Sequence, residues 1–127
     1  MLLSADTDDF DSCYEEGLQL EEAGRVAEAV AEYEKAADLY RGDYLTEDLY
    51  KEWTVIERER LDEAYVDMSR RLAAHYIEGG RLREGVRTCY RVLKKDRSDE
   101  DAHGLLTECF VRLGQRGRAL RQYRLCE

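Results

Sequence analysis

Gly80-Arg-Leu-Arg-Glu-Gly85-Val86, followed by Cys89, is one of three similar stretches in this chain. The other two read Gly24-Arg-Val-Ala-Glu-Ala29-Val30 with Tyr33, and Gly114-Gln-Arg-Gly-Arg-Ala119-Leu120 with Tyr123. Gly80 and Gly114 lie 34 residues apart. This is the period of a helix-turn-helix repeat whose hairpins bury their apolar faces by stacking on neighbours. The sequence therefore predicts a helical repeat protein.

The stretches that begin at Gly24 and Gly80 are further apart than this period. Gly24 and Gly80 are separated by 56 residues, which is 22 more than one repeat. The extra length predicts a segment inserted between the first and the second repeat.

Composition favours an almost entirely helical, single-domain protein. The 127 residues include no proline and 39% are charged, while apolar residues recur at helical spacing. A chain of this length buries a core without disulfide or metal support. It has no apolar run of the roughly 20 residues that a membrane span needs and no signal peptide pattern at Met1. We therefore expect a cytoplasmic protein with no membrane partner.

The predicted elements are six helices. The first three are expected at Asp6 to about Ala23, at Val26 to Tyr40, and at about Tyr50 to the Gly79-Gly80 pair, with a loop at 41–49. The last three are expected at Leu82 to Lys94, from the Asp96–Asp99 turn and cap to Leu113, and from near Gln115 onward. Asp6-Thr7-Asp8-Asp9 is expected to cap the first helix, because capping side chains and acids stabilise helix N-termini. Gly24 is expected to end it in a left-handed conformation.

Two further positions repeat around the turn glycines. A bulky residue stands four positions before each glycine, and a small residue stands seven before it. The bulky residues are Leu20, Tyr76 and Phe110, and the small ones are Gly17, Ala73 and Thr107. Close packing of antiparallel helices requires such an alternation.

These residues resemble the tetratricopeptide repeat, although the chain departs from it at Glu16, Arg41, Cys89 and Arg97. We predict an all-α, tetratricopeptide-like stack of about three antiparallel helix hairpins, with a long inserted helix after the first hairpin.

The insert carries a second resemblance. Leu39-Tyr-Arg-Gly-Asp-Tyr-Leu45, followed by Trp53, Glu57-Arg58 and Leu61, resembles the bacterial transcriptional activator domain of the antibiotic regulatory protein family. The likeness continues through Asp99-Glu-Asp-Ala-His-Gly-Leu-Leu106 and Ala119-Leu-Arg-Gln-Tyr123, while Thr46 and Arg97 stand where the family commonly has proline. Regulators of this family carry a winged helix-turn-helix DNA-binding domain before the repeat domain. The resemblance implies that residues 1–127 are one such domain and a fragment of a longer regulator.

Charge is unevenly distributed along the chain. Residues 1–63 hold 20 acids and 6 bases, and residues 64–127 hold 9 acids and 14 bases. A net charge of −9 disfavours direct binding of nucleic acid by the domain as a whole. The C-terminal arginines form either a solvated face that complements the acidic repeat or a local phosphate site, with Arg112 and Arg116 as an i,i+4 pair on one helical face. These arginines are Arg112, Arg116, Arg118, Arg121 and Arg124.

No pattern in the sequence indicates catalysis, a cofactor or a metal. The four cysteines include no CxxC pair, and we interpret them as thiols because nothing indicates export. There is no Gly-rich phosphate loop and no nucleophile with a base at a recognised spacing. We therefore predict that the protein is not an enzyme.

The inserted segment supplies the candidate interaction residues. We predict that Trp53 and Ile56 share the Leu61 side of the long helix and pack against the repeats. An alternative places Tyr44, Leu45, Tyr50 and part of Trp53 in an exposed apolar patch for a neighbouring domain or a second copy. Arg58 belongs to a charge run that either is solvated or forms interface ion pairs.

Two functions remain compatible with these features. One is a regulatory interaction and dimerisation module of a bacterial transcription regulator, whose partners are its DNA-binding domain, a second copy or the transcription machinery. The other is a free-standing tetratricopeptide adaptor that binds a peptide or a small effector in its concave groove. The chain has no asparagine, which argues against capture of a peptide's terminal carboxylate by asparagine side chains.

Overall fold

The computed structural model describes the backbone of residues 2–41 and 55–126 and the side chains of residues 9–40 and 55–125. The protein is all-α and tetratricopeptide-like, and the described residues contain no strand. The helices are α1 (Leu2–Glu22), α2 (Val26–Arg41), α3 (Val55–Glu78), α4 (Leu82–Lys95), α5 (Glu100–Arg112) and α6 (Arg116–Cys126). The predicted loop at 41–49 is wrong at Arg41, which is the last residue of α2. Residues 42–49 and the predicted start of the long helix at Tyr50 lie outside the described residues.

The chain divides into two compact units, with the boundary between Met68 and Ser69 inside α3. The first unit contains the hairpin of α1 and α2 and the first part of α3. The second contains the rest of α3 together with α4, α5 and α6. The second half of the long helix was predicted to act as the first helix of repeat 2, and its residues do belong to the unit of α4 to α6.

Each of the three turn glycines ends a helix in the left-handed conformation. Their φ angles are +80°, +80° and +76° for Gly24, Gly80 and Gly114. In the first turn the Arg25 amide donates to the Leu20 carbonyl at 2.8 Å, and the same bond recurs at the other two turns. This is the Schellman cap, in which glycine pays no steric penalty for positive φ. The predicted left-handed cap is confirmed.

The small residue seven positions before each glycine controls how closely the next helix packs. In the first hairpin, a Cβ on Gly17 would overlap the ring of Tyr33, which is fully buried. In the second, Ala73 and Cys89 belong to one buried cluster. In the third, the equivalent pair is Thr107 and Tyr123, and Tyr123 is 58% exposed. A larger residue at the small position thus accompanies a smaller or more exposed residue opposite.

Aromatic side chains of α1, α2 and α3 pack together in the first unit. The rings of Tyr40 and Tyr65 stack with centroids 3.9 Å apart. The ring centroid of Phe10 lies 6.1 Å from that of Tyr40. The hydroxyls reach carboxylates at the edge of this cluster, for example Tyr33 donating to Glu21 Oε1 at 2.5 Å. An aromatic ring buried with its hydroxyl satisfied contributes apolar area without an unpaired polar group.

Two local predictions were wrong. The first helix begins at Leu2, so Asp6 to Asp9 lie within it and do not cap it; Leu2, Leu3 and Ala5 are themselves good helix formers. Ile56 is 78% exposed whereas Leu61 is 1% exposed. Five residues correspond to a rotation of about 140° around a helix, which places these two side chains on different faces.

We predict that Gly17→Ala destabilises the protein by about 1 kcal/mol, because the overlap with Tyr33 outweighs the better helix propensity of alanine. The double variant Gly17→Ala/Tyr33→Cys recreates the pair found in the second repeat. Urea unfolding of the four proteins in this cycle should give a favourable coupling of about 1 kcal/mol. Purely additive losses would show that the two positions do not constrain one another.

Burial raises the pKa of the Cys89 thiol from 9.0 to about 12, with Cys109 and Asp99 adding to the shift. Between these two pH values the folded protein keeps a proton that the unfolded chain releases, so stability falls as the pH rises above 9.0. We predict that Cys89 contributes about 1 kcal/mol of this loss by pH 10. Cys89→Ala should show a correspondingly flatter alkaline decline in urea unfolding. Val92→Ala, a core truncation in the same helix, should keep the wild-type slope.

Candidate protein-interaction surface

Helix α6 is the least buried helix of the second unit. Among its described side chains, Ala119 and Gln122 are buried, at 5% and 6% exposure, and the others are exposed. The small side chain of Ala119 lies in the same apolar cluster as Leu106 and Phe110 of α5. The helix is therefore held by a narrow strip of contacts and presents most of its circumference outward.

A buried hydrogen-bond relay fixes α6 to the rest of the unit. Gln122 Nε2 lies 2.5 Å from His103 Nδ1, and His103 Nε2 lies 2.7 Å from the Arg97 carbonyl. The carbonyl can only accept, so Nε2 of the imidazole carries the proton and Nδ1 accepts from the glutamine. Residues from the α4–α5 turn, α5 and α6 are thereby joined through the imidazole of His103.

The segment Asp99–Leu106, which carries part of the family resemblance, positions His103 for this relay. Asp99 Oδ1 accepts from the Ala102 amide at 2.9 Å and caps α5. Arg70 of α3 lies 3.4 Å from Asp99 Oδ2, which adds a partly buried ion pair. Ala102 and Leu106 are fully buried. The segment therefore starts α5, fills the core and presents His103 to α6.

The outward side of α6 combines arginines with exposed apolar residues. Arg116, Arg118, Arg121 and Arg124 are all exposed. Leu120, Tyr123 and Leu125 are 52%, 58% and 71% exposed. The chain has no acidic residue between Glu108 and Glu127. Sequence reasoning identified the arginines but missed these apolar neighbours, because Leu120 and Tyr123 coincide with positions that are apolar and partly or fully buried in the first repeat.

Arg112 has a different environment from the α6 arginines. It ends α5, and the turn at Gly114 separates it from Arg116. The two residues therefore do not form the predicted i,i+4 pair on one helical face. Arg112 Nη1 donates to the Ile77 carbonyl at 3.2 Å, so that it satisfies an acceptor in the last turn of α3.

The residues predicted around the insert are only partly described. Tyr44, Leu45, Tyr50 and Trp53 lie outside the described residues. Arg58 is half-buried in the first unit, and the neighbouring Arg60 pairs with Asp11 of α1 at 3.2 Å. The first turns of α3 expose Val55, Ile56, Glu59 and Glu63. This mixed apolar and acidic surface was not predicted from the sequence, because Ile56 was placed against the repeats.

A cleft between α1 and α2 has a volume of about 400 Å³. Its lining includes Cys13, Lys35 and Asp38. Burial, followed by the charge of Glu32, raises the pKa of the Cys13 thiol, which disfavours the thiolate needed for nucleophilic chemistry. The described part of the chain holds no cluster of three or more potential metal ligands. It also contains no helix with both the length and the apolar character of a membrane span.

A family model described as the bacterial transcriptional activator domain matches residues 5–127. No curated protein matches the chain.

Among solved structures, the chain resembles the C-terminal TPR-containing domain of a putative FK506-binding protein from Plasmodium falciparum. The TM-score is 0.82 at 18% identity, over 98% of this chain and 78% of that one. A multi-domain immunophilin from Arabidopsis thaliana gives a TM-score of 0.78 at 20% identity, over 99% of this chain and 47% of that one, so this chain spans about half of the immunophilin. At such identities the likeness shows the shared fold alone.

We predict that Gln122→Ala loosens α6, because it leaves His103 Nδ1 buried without its donor at a cost of about 1–3 kcal/mol. Hydrogen exchange should show roughly tenfold faster exchange of the α6 amides, while the α4 amides keep their protection. Gln115→Ala removes an exposed glutamine side chain at the start of the same helix and serves as the matched control. Equal effects of the two substitutions would argue against the relay.

Proposed function

Because the chain belongs to the bacterial transcriptional activator domain family, we propose that it is a protein-interaction and self-association module of a bacterial transcription regulator. It works in the cytoplasm, and another domain of the regulator reads the DNA. The partners are that DNA-binding domain, a second copy of this module or the transcription machinery.

The outward surface of α6 is the observation that carries this proposal. Exposed Leu120, Tyr123 and Leu125 lie beside four arginines on one short helix. Apolar side chains grouped with arginine are the composition that protein interfaces favour. Among the described side chains of α6, two are buried, and the exposed ones are available for contacts with another molecule.

The net charge supports the proposal that a separate domain, and not this module, binds DNA. The chain carries a formal charge of −9, which repels a phosphate backbone at a distance. The α6 arginines stand beside exposed leucine and tyrosine side chains, which gain more from an apolar protein surface than from phosphates.

The family assignment leaves recruitment and self-association to be separated by experiment. The chain is fused to a DNA-binding domain and tested on two reporters. A dyad operator responds only when two copies associate, and a single operator beside a weak promoter responds when the transcription machinery is recruited. The proposal expects a response on at least one reporter.

We predict that Leu120→Asp/Tyr123→Asp lowers the response at least about tenfold, because charges placed in an apolar interface are desolvated without a partner. Tyr90→Asp on α4, where the tyrosine is 50% exposed, is the matched control and should retain the response. Silence of the folded wild-type fusion on both reporters would contradict the proposed function. A gel shift of duplex DNA by the isolated chain at physiological salt would contradict the assignment of DNA reading to another domain.

A further inference from the structure

Two exposed helix faces of this chain have complementary character. The basic ridge on α6 consists of Gly117, Leu120, Arg121 and Arg124, in which Leu120 and Arg121 each lie three or four residues from both Gly117 and Arg124. The acidic ridge on α3 consists of Ile56, Glu59 and Glu63, with the same spacing. Residues three and four apart lie on the same side of a helix, and every member of both ridges is exposed.

The basic ridge requires an acidic partner that also offers an apolar side chain. Leu120 is 52% exposed and is adjacent to Arg121. The exposed acids of α1, such as Glu15, Glu16 and Glu22, are accompanied on that face by Ser12 and Gln19 and supply no apolar group. The acidic ridge supplies both kinds of contact, because Ile56 is 78% exposed beside its glutamates.

We infer that the basic ridge of one copy packs on the acidic ridge of a second copy, an inference that rests on the proposed self-association. The isoleucine lies over Gly117 and against Leu120, while Glu59 pairs with Arg121 and Glu63 with Arg124. A Cβ on Gly117 would meet no atom within 4 Å, so the surface there is open to an incoming side chain. The two glutamates are one turn apart, and so are the two arginines, which allows both pairs to form together.

The chemistry of the contact sets its expected strength. Solvent-exposed ion pairs contribute little individually, so Ile56 and Leu120 supply the apolar centre while the charges fix the register and exclude wrong partners. Screening weakens exposed charge pairs. Association is therefore expected at micromolar concentrations at low salt and becomes weaker as salt is added.

Charge exchange between the ridges tests this inference. Sedimentation velocity of the full chain over a range of concentrations compares the wild type with R121E/R124E and with E59R/E63R. Each variant alone should associate at least about tenfold more weakly than the wild type, because like charges then face each other. An equimolar mixture of the two variants should recover association, since the substituted ridges of the two variants pair with reversed signs and their unsubstituted ridges pair as in the wild type.

R83E/R87E on α4 is the matched control, because it reverses two exposed arginines one turn apart outside either ridge. It should leave association unchanged, and circular dichroism of every variant should match the wild type. A wild type that stays monomeric, a control that weakens association equally, or a mixture that fails to recover would each overturn the inference. None of these results removes a response on the single-operator reporter, so failure of this contact is distinguishable from failure of the proposed function.

Discussion

In each hairpin, how closely the two helices pack depends on the size of the residue seven positions before the turn glycine and on the size of the residue that it faces in the next helix. Where that residue is Gly17, a tyrosine ring lies directly on the backbone of α1 and is fully buried. Where it is Ala73, a cysteine takes the opposing place, and its burial holds the thiol protonated. Packed interiors leave no room for both partners to be large, so the size of the first residue limits the second.

The third hairpin shows the consequence of relaxing this constraint. Thr107 occupies the small position, and Tyr123 lies mostly in solvent. The helix is then held by Ala119 and by the bond between Gln122 and His103. A buried relay fixes geometry through hydrogen bonds more than through apolar area. Because the hydrogen bond of Gln122 holds α6 in place of a buried tyrosine ring, Tyr123 stays exposed together with Leu120 and Leu125.

Electrostatics gives the exposed faces different preferences. The acids concentrate in the first half of the chain and the arginines in the second. Several charges are already used internally: Arg70 pairs with Asp99, Arg112 binds the Ile77 carbonyl, and Arg60 pairs with Asp11. The arginines of α6 lie in a segment without acids, so this helix itself supplies no carboxylate to pair with them.

The amino-acid sequence by itself determined the positions of the hairpin ends and the family. Gly24, Gly80 and Gly114 mark turns because positive φ is a local requirement that glycine alone meets without strain. Tertiary structure decided which similar residues are buried: Tyr33 is enclosed while Tyr123 is exposed, and Ile56 faces away from the core. Burial depends on the residue supplied by the opposing helix and on the angle around the helix axis. The angle between Ile56 and Leu61 follows from their spacing in the sequence, whereas the residue that an opposing helix supplies is known only from the tertiary structure.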